Sequence, residues 1–193
     1  MKRLIIALCL AISLACGSFG VGLSQNFKKG FDAYEKGDYA TALKEWTPLA
    51  EQGDAVVQHN LGAMYNIGQG VPQDYKTAVK WYTLSAEQGD ADAQVNLGVM
   101  YEKGQGVPQD HKTAVKWYTL SAEQGNADAK FNLGIMYYQG KGVRQDYKEA
   151  VKWYTFSAEH GHAPAQYNLG DMYSKGQGIP QDYKTAVKWY TLS

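Results

Sequence analysis

Three groups of residues have types and spacings that chemistry uses. His160-Gly161-His162 sets two imidazoles close enough to share a metal, but a zinc site takes three or four protein ligands. No third ligand stands at a recognisable spacing, so His162 reads as a helix cap and His160 as an exposed helix end, while His59 and His111 stand alone. Gly68-Gln69-Gly70 and its copies have the look of a phosphate cradle. Each copy follows a helical pattern instead of a strand, the third glycine of a dinucleotide fingerprint is missing, and no Gly-Lys-Thr follows. Asp74, Asp110, Asp146 and Asp182 form the third group, recurring carboxylates that general acid–base catalysis could use. Each stands just before a helical stretch, and helix capping accounts for all four. No serine or cysteine nucleophile pairs with a base, so the sequence predicts no enzyme, no metal and no cofactor.

These residues belong to units that repeat every 36 positions: Ala50–Ser85, Ala86–Ser121, Ala122–Ser157 and Ala158–Ser193. A fixed period of this length signals stacked supersecondary units, each burying its apolar face against its neighbours. In the second unit Asp90 caps a helix over Ala91–Lys103 (helix A), with Ala93, Leu97, Met100 and Tyr101 on one face. Asp54, Asn126 and His162 take the same capping place elsewhere. Gly104 and Gly106 end helix A and permit positive φ, Val107 turns toward the core, and Pro108 prevents continuation. Helix B then runs from about His111 to Glu123, burying Ala114, Val115, Trp117, Tyr118 and Ala122 and turning Lys112 and Lys116 to water, until Gly125 stops it. Asp146 with Glu149 adds a capping-box pattern. Ala86, Ala93, Ala114 and Gly98 let helices approach closely, and Trp46, Trp81, Trp117, Trp153 and Trp189 read as packing residues.

Composition fits a folded protein: 45% hydrophobic, 20% charged, with 19 basic and 19 acidic residues. The charge is balanced and shows no nucleic-acid footprint, which needs a positive excess clustered on one face. Residues 1–24 read as a secretory signal peptide, with Lys2 and Arg3, the apolar run Leu4–Ala15 and small residues after it, cleaved before Gln25. The apolar run is shorter than the roughly 20 residues of a membrane span. Cys9 and Cys16 both lie in this leader, so the mature chain has no disulfide and relies on packing. An alternative reads Ser13-Leu14-Ala15-Cys16-Gly17 as a lipoprotein site, which would tether the chain through Cys16. Residues 25–49 read as a capping helical hairpin: Phe27, Phe31 and Tyr34, a break at Lys36-Gly37-Asp38, then Tyr39, Ala42, Leu43 and Trp46. The expected localisation is periplasmic or secreted.

The pattern Ala-x-x-x-Leu-Gly-x-x-Tyr-x-x-Gly-x-Gly-Val-x-x-Asp-x-x-x-Ala-x-x-Trp-Tyr, seen over Ala93–Tyr118 and its copies, resembles the Sel-one-like repeat, a relative of the tetratricopeptide repeat. The resemblance covers residues 50–193. It implies an all-α fold, a right-handed α-solenoid of antiparallel helix pairs whose A helices line a concave face used to bind other proteins. Some cysteine-rich secreted relatives have been linked to binding or hydrolysing β-lactams. They carry regularly spaced cysteine pairs, which the mature sequence lacks. A self-assembling structural subunit is the third possibility, and a last helix B ending at Ser193, with Trp189 and Leu192 short of cover, points either to end-to-end association or to a missing downstream segment.

Comparing the four units separates positions that stacking fixes from positions it leaves free. Leu61, Gly62, Met64 and Tyr65 recur in every unit, as does the ladder Asn60, Asn96, Asn132 and Asn168. The free positions on helix A are His59, Ala63 and Asn66 in the first unit, and Val95, Val99 and Glu102 in the second. The third has Phe131, Ile135 and Tyr138, the fourth Tyr167, Asp171 and Ser174. Spaced i, i+4 and i+7, they share one helix face. They predict a partner-binding stripe, apolar in its middle, for a protein or peptide. The asparagine ladder reads either as a clamp on an extended ligand or as a link between successive A helices.

Overall fold

The computed structural model describes residues 19–193, with side chains from residue 25 onward; Cys9, Cys16 and the rest of the expected leader up to residue 18 lie outside the described residues. Among the described residues ten helices follow one another: α1 (Phe19–Glu35), α2 (Tyr39–Glu51), α3 (Ala55–Ile67), α4 (Tyr75–Glu87), α5 (Ala91–Lys103), α6 (His111–Glu123), α7 (Ala127–Gln139), α8 (Tyr147–Glu159), α9 (Ala163–Lys175) and α10 (Tyr183–Leu192). Each packs against its sequence neighbours, so the array is an α-solenoid of antiparallel helix pairs. Odd-numbered helices are the A helices and even-numbered ones the B helices. Helix α1 begins at Phe19, so its backbone runs unbroken through the expected cleavage point before Gln25.

Local sequence sets the helix limits. Asp54, Asp90 and Asn126 accept the backbone N–H three residues on at 3.0, 2.7 and 3.0 Å, and the His162 ring does the same at 3.2 Å. A helices end at Gly68, Gly104, Gly140 and Gly176, all with left-handed φ between 66° and 71°. The second glycine of each turn has a different duty. A Cβ on Gly106 would stand 2.4 Å from the Tyr75 carbonyl oxygen, and one on Gly142 2.3 Å from that of His111. The loop of one unit thus lies directly on the backbone that opens the preceding B helix, which a side chain would prevent.

The capping box at Asp146 forms only in half. Asp146 accepts the Glu149 N–H at 3.2 Å, but the Glu149 carboxylate turns to Lys152 at 3.4 Å. The Asp146 N–H already donates to Tyr137 at 3.0 Å, leaving no free donor for a returning carboxylate.

The core is a chain of contacts between glycines and rings. The Tyr82, Tyr118 and Tyr154 rings lie on Gly62, Gly98 and Gly134, where a Cβ would come within 2.6 Å. Trp46 lies on Gly30 in the same way. Trp46 therefore fills the tyrosine register of the first hairpin and not that of the later tryptophans. Those pack backwards, Trp81 on the cluster around Leu61, Trp117 on that around Leu97 and Trp153 on that around Leu133. Three buried serines tie the ends of each pair: Ser85, Ser121 and Ser157 donate to the carbonyls of Ala55, Ala91 and Ala127 at 2.7 to 2.9 Å.

Candidate functional site

The twelve stripe residues lie on the A-helix side, turned toward the next unit more than toward open solvent. His59 is only 6% exposed, with its ring beside Tyr82 and its Nε2 3.0 Å from the Asn96 amide. It is therefore a buried link between α3 and α5 and does not line an open groove. Ala63 packs against the cluster of the second unit, and Asn66 is half-buried. Val95 and Val99 pack against the cluster around Tyr118 and Leu133. Glu102 accepts the Tyr118 hydroxyl at 2.7 Å; burial pushes that hydroxyl's pKa up, and the carboxylate pushes it further.

Phe131, in the apolar middle of the expected stripe, lies between the Tyr154 ring at 5.8 Å and the His162 ring at 4.6 Å. Ile135 and Tyr138 join the same cluster, with the Tyr138 hydroxyl donating to Gln177 at 3.2 Å. Asp171 pairs with Lys175 at 2.7 Å, and Ser174 donates to the Asp171 carbonyl. Tyr167 alone among the twelve is open, 58% exposed and resting on Tyr190. The A-helix face is thus a shallow strip of half-buried side-chain edges, continuous from Ala63 to Ser174.

Helical geometry places the asparagine ladder one position beyond this stripe, also half-buried. Asn96 joins the preceding A helix through His59, and the Asn168 amide partly opposes the upward push of burial on the Tyr154 hydroxyl. A second ladder, missed in the sequence, joins helix starts: Asn126 donates to Asp92 at 2.9 Å, and the His162 Nε2 lies 3.0 Å from Asp128. The recurrence of Asp at the second position of α5 and α7 was its sequence signal. His160 is bonded to the Phe156 carbonyl at 2.7 Å, so the two imidazoles serve separate helix ends. Among the described residues no group of three or more His, Cys, Asp or Glu side chains is placed to hold a metal. No helix among them is long and apolar enough to cross a membrane.

A family model, the Sel1 repeat, matches residues 55–90, 91–126, 127–162 and 163–193. The chain belongs to the Sel1 repeat family. The family's units start at the A helices, five residues after the boundaries chosen from the sequence, with the same period. No curated protein matches the chain. Among solved structures it is similar to a protective antigen of uropathogenic Escherichia coli strains with an SLR fold, at 36% identity and a TM-score of 0.84, covering 89% of this chain. This chain spans only 38% of that protein. A Sel1 repeat protein from Oxalobacter formigenes matches at 37% identity and a TM-score of 0.81, covering 86% of this chain and 67% of its own. The fold is therefore the right-handed superhelix of this family. Sel1 repeats are generally scaffolds for protein interaction and not catalysts.

Proposed function

We propose that this Sel1 repeat chain is an exported bacterial scaffold, periplasmic or secreted, that holds a protein or peptide segment along its A-helix face and catalyses no reaction. The observation that carries this reading is the contrast within one helix. Leu, Gly, Met and Tyr at the packing positions never change between units, while the half-buried strip beside them changes at every unit. Side-chain edges that stacking does not dictate are free to match a ligand, and an apolar middle with polar ends suits a peptide. The leader pattern of residues 1–24 supports export, and Cys16 offers the lipid-anchored version of the same scaffold.

Tyr167 is the position to test, because Phe131 is half-buried between two rings and charging it would destabilise the unit as well as alter the surface. A photo-crosslinker at position 167 should capture a partner segment, and Tyr167→Asp should abolish binding of that segment with helical circular dichroism unchanged. Undiminished binding by the variant would sink the reading. Turnover of a chromogenic β-lactam by the purified protein would replace it with a hydrolase.

A further inference from the structure

The B helices carry a second surface that stacking does not explain. Leu84, Leu120, Phe156 and Leu192 recur at one register yet are 37, 45, 41 and 56% exposed. About one turn before each stands an exposed lysine: Lys80, Lys116, Lys152 and Lys188. Close to one turn after stands an exposed glutamate, Glu87, Glu123 or Glu159. Even the divergent α2 keeps the order, as Lys44, Pro48 and Glu51. An apolar row flanked by a basic row and an acidic row therefore runs across the array.

Two further observations point to an external cause. The glutamates run against each helix's own dipole, which favours basic residues at the C-terminus. Glu87, Glu123 and Glu159 close α4, α6 and α8, whose last turns hold no basic residue. Among the described residues, Lys152 alone of the two rows has an ion-pair partner, Glu149.

We infer that this B-helix face pairs with the same face of a second copy of the chain. Face-to-face pairing by a two-fold axis has two forms. With the axis along the B helices, lysines meet lysines. With the axis along the stacking direction, the B helices of the two copies lie antiparallel, each lysine row faces the partner's glutamate row, and the apolar rows meet between them. Charge selects the second form, which also opposes the helix dipoles. The interface is self-complementary and closes as a dimer without propagating. A recess of about 510 Å³ between α2 and α4, lined by Ala50, Gln58, Trp81 and Leu84, gives a partner side chain a seat beside the apolar row. Lys80 lies 5.4 Å over the Trp81 ring and Lys152 5.6 Å over Trp153, which holds these two amines at the row's edge.

Sedimentation and light scattering of the whole chain test this, with circular dichroism as the check on folding. The chain should be dimeric, and more weakly so as salt rises. K80E/K116E/K152E should weaken the dimer by at least about tenfold, because six cross-interface attractions become repulsions. Adding E87K/E123K/E159K swaps the two rows and should restore it. Leu120→Asp should give folded monomers without touching either charged row. A wild-type chain monomeric at every concentration overturns the inference, as does a dimer indifferent to the lysine reversal or a row swap that restores nothing.

Discussion

The two long faces of this array differ in what their side chains answer to. On the A side the residues that vary are half inside the structure: Val95, Val99, Phe131 and Ile135 all lean on the cluster of the next unit. On the B side the residues that recur are largely outside it, Leu120 at 45% exposure being typical. Variation alone is therefore a poor guide to exposure in a solenoid. A varied position can be tuned to its neighbouring unit, as His59 is to Asn96, and a constant one can serve something beyond the fold.

The sharpest break in that comparison comes at the shared interior. Gly134→Val places carbon within 2.5 Å of the Tyr154 ring, and overpacking there should cost about 3 kcal/mol or more, read from urea unfolding. Phe131→Asp should cost about 2 to 3 kcal/mol, since it empties a site between two rings and puts a charge there. Tyr118→Phe removes the bond to Glu102 and should cost about 1 kcal/mol in the same assay. Leu120→Asp, the B-side counterpart of the Phe131 change, should alter the folding stability of the monomer by less than about 0.5 kcal/mol. If it costs as much as Phe131→Asp, the two faces do not differ as described.

The least effect is a slope against pH. Side-chain bonds from Thr77, Thr113 and Thr185 hold Asp74, Asp110 and Asp182 below the usual carboxylate range. A folded pKa lowered in this way contributes stability that is present above the unfolded value and fades as pH falls through the folded one. Melting temperature should therefore drop on acidification below about pH 4. The triple change D74N/D110N/D182N, which keeps capping amides at the helix starts, should flatten that drop.

Much of the fold was legible because its determinants are local. The limits Ala91–Lys103 and His111–Glu123 agree with α5 and α6 since Asp90, Gly104, Asp110 and Gly125 act on backbone groups a few residues away. The close approach at Gly98 was legible too, because no other residue type fits under a ring. The candidate site was less so. Helical spacing put the twelve stripe residues on one face but did not say which way that face turned, and it gave no sign that His59 and Phe131 are packed against the next unit.

By itself the sequence determined the period, the helix starts and stops and the small residues on which helices meet, all set by dihedral preference, capping and steric size within one unit. Only the tertiary structure decided that Trp46 takes a tyrosine's place over Gly30, that Glu102 receives the Tyr118 hydroxyl, and that the exposed leucines line up beside rows of opposite charge. A helical wheel fixes the angle of a side chain about its own axis. How the next unit leans on that axis is a sum over many contacts, and that sum settles which angles meet protein and which meet water.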